Sequence, residues 1–318
     1  MSEQKWGAIT RKINFIDGSL EDDQRLPLED GGSVDMYTIK KPKVLQTNYY
    51  GGETFQRHVT IFKDQLDVAM TGPDQFSLFL SGVIQNVMDM LEQIREEESR
   101  ATLINFIAGK KAGDSENVIN ILQAYYDETG VELTPITMFE DKNFIPFTKW
   151  LYAYINTLMR KMSERTIKYH INVTDKEIHR HTPANKMKAY MSARYLDSID
   201  SVTLPTIFGA DRLKMIDWEA VTFWQNIDDP EKILATPTYL VADGSLETAT
   251  EEVEVSNIVG VLFDEEALGI TRINEWSMAT NMNAAGGYKN IFWHFTHKLF
   301  NDFSENAVVL VAGDVTTS

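Results

Sequence analysis

The sequence predicts an α+β fold in which strand-rich and helical stretches are segregated along the chain instead of alternating. Three observations carry that reading. Residues 1 to about 71 are β-rich and punctuated by turns, residues 74–108 carry one apolar stripe at helical spacing, and the chain from Asn257 onward returns to strand alternation.

In the opening stretch Asp17-Gly18, Gly31-Gly32 and Gly51-Gly52 mark turns. Between them "DMYTIKKPKVLQTNYY" and "ETFQRHVTIF" are rich in β-branched and aromatic residues. Phe55, Val59 and Ile61 fall on one strand face, so the pattern predicts a long hairpin turning near Gly51-Gly52, with Pro42 at an edge position. A two-stranded ribbon cannot shelter its own side chains, yet this one carries Tyr37, Ile39, Tyr49, Tyr50, Phe55, Ile61 and Phe62. Those residues are the candidate contact surface, because a second molecule has to cover them.

The helix opens on Gly72-Pro73-Asp74, with proline preset for the first turn and an acid at the positive end of the dipole. Phe76, Phe79, Leu80, Val83, Val87, Met90, Leu91 and Ile94 follow at helical spacing, and Gly109 is the expected stop. A helix over 74–108 spans on the order of 50 Å at 1.5 Å per residue, far beyond the usual three or four turns. It reads as a spine and not as a coiled coil, since the stripe thins into Arg95-Glu96-Glu97-Glu98.

Residues 114–256 mix short elements. "ENVINILQAYYDETG", ending at Gly130, and "FTKWLYAYINTLMRKMSERT" read as amphipathic helices, and "KMKAYMSARYLDSIDSV" as a third. Residues Ile258–Phe263 are apolar on both faces, which predicts a buried strand. Asp264 then stands where an N-cap belongs, Glu265 and Glu266 fill the first turn of a short helix, and Gly269 stops it, so this acidic cluster is structural and not catalytic. Ile291, Trp293 and Phe295 alternate with Phe292, His294 and Thr296 along one strand, and "NAVVLVAG" closes the chain as another.

Composition excludes several function classes. Hydrophobic residues at 43%, aromatic at 11% and charged at 24% describe a folded chain. A net charge of −17 opposes general nucleic-acid binding, and the absence of cysteine removes disulfides and thiolate metal sites. No apolar run approaches the roughly 20 residues of a membrane span, so no membrane partner is expected.

His170, His179 and His181 cluster near Asp175 and Glu177, and a His-x-His pair on a strand can join a third ligand at zinc. The spacing is far less specific than two histidines at i, i+4 on a helix, and Thr182-Pro183 just beyond suggests an exposed loop. His294 and His297 should point to opposite faces of their strand. The sequence holds no glycine-rich phosphate loop, nucleophile elbow or kinase signature, and "MNAAGGYKN" reads as a tight turn. No catalytic, cofactor-binding or metal residue is assigned, and no cofactor is expected.

Taken together, the turn-rich arm, β-hairpin, very long helix, mixed middle segment, "NIVGVLFDEEALGI" and "NAAGGYKNIFWHFTHKLFNDFSENAVVLV" resemble the major capsid proteins of tailed bacteriophages, those with the Hong Kong 97 fold. The resemblance implies an N-terminal arm over 1–34, an extended loop over 35–73 that overlaps a neighbouring subunit, a peripheral domain made of 74–114 with 258–318, and an axial domain over 115–257. It implies a virion protein made and assembled in the host bacterial cytoplasm. The expected partners are copies of itself in hexamers and pentamers, a separate scaffolding protein, a portal, a decoration protein, and packaged DNA enclosed without specific binding. An acidic wall suits that cargo, because phosphates slide past it. Some members cross-link through a lysine and an asparagine; Lys40, Lys41, Lys43 and Lys63 lie in the hairpin region, but no motif singles one out. Two rivals stand beside this reading: an encapsulin-type nanocompartment shell and, from another class, a metal-dependent hydrolase using His179 and His181.

Overall fold

The computed structural model describes residues 2–3, 10–16, 30, 32–33, 36–37, 43–69, 73–173, 178–203 and 218–316. Strands β1 (Ser2–Glu3), β2 (Thr10–Ile16), β3 (Lys43–Tyr49) and β4 (Glu53–Phe62) precede a short helix α1 (Lys63–Ala69) and the long helix α2 (Pro73–Gly113). The middle of the chain forms β5 (Val118–Asn120), α3 (Ile121–Thr129), α4 (Asp141–Ser163), β6 (Met187–Ser192), α5 (Ala193–Thr203) and β7 (Trp218–Val221). Four short strands follow, β8 (Ile233–Ala235), β9 (Thr238–Leu240), β10 (Leu246–Thr248) and β11 (Val253–Val255). The chain closes with β12 (Ile258–Asp264), β13 (Leu268–Ala279), β14 (Tyr288–Asn301) and β15 (Ala307–Val311).

The contacts divide the chain into two compact units. The first gathers Met1–Ile9, Tyr50–Phe106 and Leu268–Asn301 around a four-stranded sheet in the order β1-β13-β14-β4. Its long hairpin is β13–β14, in register from Leu268↔Asn301 to Ala279↔Ile291. Asn283 builds the turn by accepting the Ala285 and Gly286 N–H groups at 3.0 Å, and Gly287 takes the left-handed φ of 61° that this corner requires. Helix α2 lies on the sheet face that carries Glu275 and His297. Arg95 donates to Glu275 at 2.9 Å, and His297, almost wholly buried, meets Glu98 at 2.6 Å through one ring nitrogen and Glu275 at 3.3 Å through the other.

The second unit gathers Thr10–Tyr49, Ile107–Ala267 and Asp302–Ser318. Its five-stranded sheet has the order β5-β15-β12-β6-β7, with β12 antiparallel to both neighbours and the outer pairs parallel. Every residue of β12 is buried, as its unbroken apolar run predicts. Leu122 from α3, Leu151 and Ile155 from α4 and Tyr195 from α5 pack with Val259, Leu262, Val308 and Leu310 in one core. Gly260 lets β6 come close: a Cβ there would stand 2.7 Å from the Tyr190 carbonyl oxygen. Asn120 caps α3 by accepting the Leu122 N–H at 3.1 Å, and Gly130 ends it at φ 70°, where the sequence placed the stop.

Several expectations are corrected. Strands β3 and β4 flank Gly51-Gly52 but do not pair with each other: β3 pairs with β2 and β4 with β14. The two-stranded ribbon is therefore 10–16 with 43–49. Alternation shows which face of a strand is covered but not which strand sits beside it. Helix α2 runs on through Gly109 to Gly113, because Gly109 is a packing glycine: a Cβ would lie 2.5 Å from Phe303. The expected third helix begins as β6, and only 193–203 is helical. Asp264 caps a turn and not a helix. Its Oδ1 accepts the Glu266 N–H at 3.0 Å, the Ala267 N–H bonds back to its carbonyl at 2.8 Å, and Gly269 lies within β13. Finally, β12 and β15 share the sheet of 187–192, so 258–267 and 302–318 cluster with the middle segment and not with the spine sheet.

Candidate inter-subunit ribbon

The ribbon of β2 and β3 is built from alternating residues that divide its two faces. Lys12, Asn14, Leu45, Thr47 and Tyr49 are half-buried, whereas Arg11, Ile13, Phe15, Val44 and Gln46 are exposed. Antiparallel register sets Phe15 opposite Val44 and Ile13 opposite Gln46, so the exposed apolar side chains share one face. Ile13 is 57% exposed, Phe15 66% and Val44 47%.

The covered face is held by charge. Lys12 forms ion pairs with both Asp302 and Glu305, whose side chains are nearly buried in the turn between β14 and β15. Arg180 also pairs with Glu305 and reaches the Ser304 hydroxyl at 3.3 Å. Asp302 accepts the Ser304 N–H at 2.9 Å and the Ser304 hydroxyl at 2.6 Å. Burial alone would raise both carboxyls. For Asp302 the Lys12 ammonium, the Ser304 bonds and the facing Tyr49 hydroxyl outweigh it and hold the acid below the usual range. For Glu305 burial outweighs the Lys12 and Arg180 cations, and Asp302 repels it, so its carboxyl is raised. Burial and the Asp302 carboxylate push the Tyr49 hydroxyl up.

The predicted contact residues do not form one surface. Tyr37 and Tyr50 are 84% and 71% exposed, and Phe62 is 46% exposed with its ring centroid 5.9 Å from that of Tyr288. Phe55 is half-buried, stacked on Phe295 at 5.4 Å, and Ile61 is buried, both on the strand that pairs with β14. Tyr49 faces inward toward Asp302, and Ile39 lies outside the described residues. Ile13, Phe15 and Val44 lie outside the predicted set, although the alternation in "TRKINFI" already separates Ile13 and Phe15 from Lys12 and Asn14.

His170, His294 and His297 are held by structural contacts. His170 is buried between the side-chain oxygens of Asn306 and Asn172, each at 3.1 Å. Burial, then the Arg180 guanidinium, push its pKa down to about 4 against those amide oxygens. His294 stacks on Trp276 at 4.1 Å while His297 turns into the buried carboxylate pair, so the two do lie on opposite faces. Among the described residues no group of three or more His, Cys, Asp or Glu side chains could hold a metal ion; Asp175 and Glu177 lie outside the described residues. Thr182 is fully buried and not in an exposed loop: its N–H donates to Met162 at 2.9 Å and its hydroxyl accepts from Asn306 at 3.2 Å. No helix is long and apolar enough, among the described residues, to cross a membrane.

Comparison with known proteins supplies the family. The family model described as Phi29-like phage major capsid protein matches residues 6–311. No curated protein sequence matches the chain. Among solved structures, a chain from the capsid of Staphylococcus phage Andhra is 12% identical at a TM-score of 0.61, covering 98% of this chain and 82% of that one. A chain from the structure of the head fiber and inner core protein gp22 of native bacteriophage P68 is 10% identical at 0.62, covering 98% and 83%. A chain from the bacteriophage PhiM1 mature capsid is 9% identical at 0.50, covering 100% and 86%. At these identities the structures speak to fold alone, and the fold they share is of the Hong Kong 97 type. The chain belongs to the Phi29-like phage major capsid protein family and is a structural protein, not an enzyme.

Proposed function

We propose that copies of this chain assemble as hexamers and pentamers of an icosahedral phage head, and that the ribbon of 10–16 with 43–49 belongs to the extended loop through which each subunit grips its neighbour. The observation that carries this reading is the outward face of Ile13, Phe15 and Val44, left uncovered while its opposite face is fixed by Lys12. A fixed apolar face on a thin ribbon gains most when another protein surface covers it. Residues 1–9 then act as the terminal arm, the unit built on α2 and the β13–β14 hairpin as the peripheral domain, and the unit built on β12 as the axial domain. A separate scaffolding protein, a portal and a decoration protein are the remaining partners, with assembly in the host bacterial cytoplasm before the shell becomes part of the virion. The net charge of −17 supports a lumen that encloses double-stranded DNA without binding it. Electron microscopy of the purified chain, alone and co-expressed with the phage's scaffolding protein, tests the proposal. Closed shells that disappear in a Phe15→Ser, Val44→Ser variant support it, and shells unaffected by that change refute the role given to the ribbon.

A further inference from the structure

The second unit holds a crevice of about 520 Å³. Strands β6 and β7 are parallel, in register from Ala189↔Trp218 to Ser192↔Val221, and α5 starts directly where β6 ends. On its other side β6 is antiparallel to β12. The crevice therefore lies outside the carboxyl end of β6, where strand direction changes, and beside the N-terminus of an 11-residue helix. The start of a helix is where unpaired N–H groups face anions.

The side chains agree with that geometry. Ser192 stands immediately before α5, where a serine hydroxyl normally accepts from the helix's first turn. It is 5% exposed, lines the crevice, and among the described residues its hydroxyl makes no hydrogen bond. Arg194 and Lys232 line the same space. The Arg194 guanidinium lies over the Phe139 ring at 3.8 Å from its centroid and forms a long ion pair with Glu231 at 3.7 Å, which does not occupy its fork in bidentate geometry. Lys232 pairs with Glu254 at 3.1 Å. No aromatic or long aliphatic side chain lines the crevice, which excludes a lipid or a stacked base. Asp229 and Glu231 also border it and oppose a high negative charge.

We propose that this crevice binds one small phosphoryl group, as inorganic phosphate or as a phosphate monoester, on the Ser192 hydroxyl, the α5 N-terminus and the Arg194 fork. The two bordering acids restrict it to a single phosphoryl group and reject a polyanionic backbone.

The test uses the full-length unassembled protein, titrated with inorganic phosphate against chloride at matched ionic strength by calorimetry, with amide chemical shifts read at residues 193–195. Saturable binding with shifts at those amides is expected. Arg194→Gln should weaken it about tenfold, the scale of one charge-assisted hydrogen bond, and Ser192→Ala severalfold. Lys142→Gln, at a side chain 77% exposed and outside the crevice, should change nothing. Titration with adenosine monophosphate separates the two sources: tighter binding than inorganic phosphate points to a monoester, equal binding to free phosphate. Absence of saturable binding, or binding that Ser192→Ala and Arg194→Gln leave within twofold, overturns the proposal. Should Arg194→Gln fail to fold, Ser192→Ala with the amide shifts decides alone.

Discussion

Replacing Lys12 by methionine keeps the length of the side chain and removes the charge that joins the ribbon to Asp302 and Glu305. Removing one partner of a buried ion pair costs about 3–5 kcal/mol, because the remaining charge stays buried without compensation. Here the loss is smaller. The Lys12 side chain is 14% exposed, Arg180 still serves Glu305, and the Ser304 N–H and hydroxyl still serve Asp302. About 2–3 kcal/mol is the expected penalty at pH 7. It should fall on local opening of the ribbon, since Lys12 is its principal tether. Hydrogen exchange of the amides of 10–16 and 43–49 in unassembled protein reads this directly, and the penalty corresponds to exchange about 30- to 150-fold faster. The sign with pH follows from the carboxyls. As pH falls and Glu305, then Asp302, take up protons, the uncompensated charge vanishes and variant and parent should converge. Exchange in Lys12→Met within threefold of the parent at pH 7, or a difference that grows toward acid, would refute the tether.

Further outcomes follow from the same structure. Phe15→Ser removes a ring that is 66% exposed. With about 200 Å² for a phenylalanine side chain, covering that fraction at about 25 cal/mol per Å² is worth up to about 3 kcal/mol, so assembly should need roughly 100-fold more protein while the monomer's melting temperature stays unchanged. Gly260→Ala forces a Cβ to 2.7 Å from a backbone oxygen of β6 in the middle of the sheet, and a loss of about 3 kcal/mol or more is expected by chemical denaturation. His170 carries a pKa lowered from 6.5 to about 4, so the unfolded chain binds the extra proton between those values. Its contribution is complete above pH 6.5 and is lost as pH falls toward 4, by up to about 3 kcal/mol. A His170→Gln variant should show a correspondingly flatter stability profile across that window.

The sequence disclosed the elements better than their partners. The long helix, the buried strand at Ile258–Asp264, the Gly130 stop and the closing strand are legible because each depends on local periodicity or turn chemistry. Pairing is not local, which is why 43–49 and 53–62, adjacent in sequence, joined different sheets. Asp264 was misplaced for a related reason: an aspartate bonding an N–H two residues on serves a helix start and a turn between strands equally well. Gly109 looked like a terminator because nothing in its neighbours reveals the Phe303 ring that needs the space. Among the predicted contact residues, Ile61 has the apolar character of an exposed surface residue, and only the strand beside it shows that it is buried in its own sheet, with Phe55 half-buried against Phe295. The clasp at Asp302 and Glu305 could not be read at all, since it joins residues almost 300 positions apart.

A cryo-electron-microscopy reconstruction of particles formed by this chain tests the central claim most directly. The account predicts a closed shell in which Phe15 and Val44 of each subunit are buried against a second copy. A shell in which that ribbon face looks into solvent, or a chain that stays monomeric with its scaffolding protein present, would contradict it.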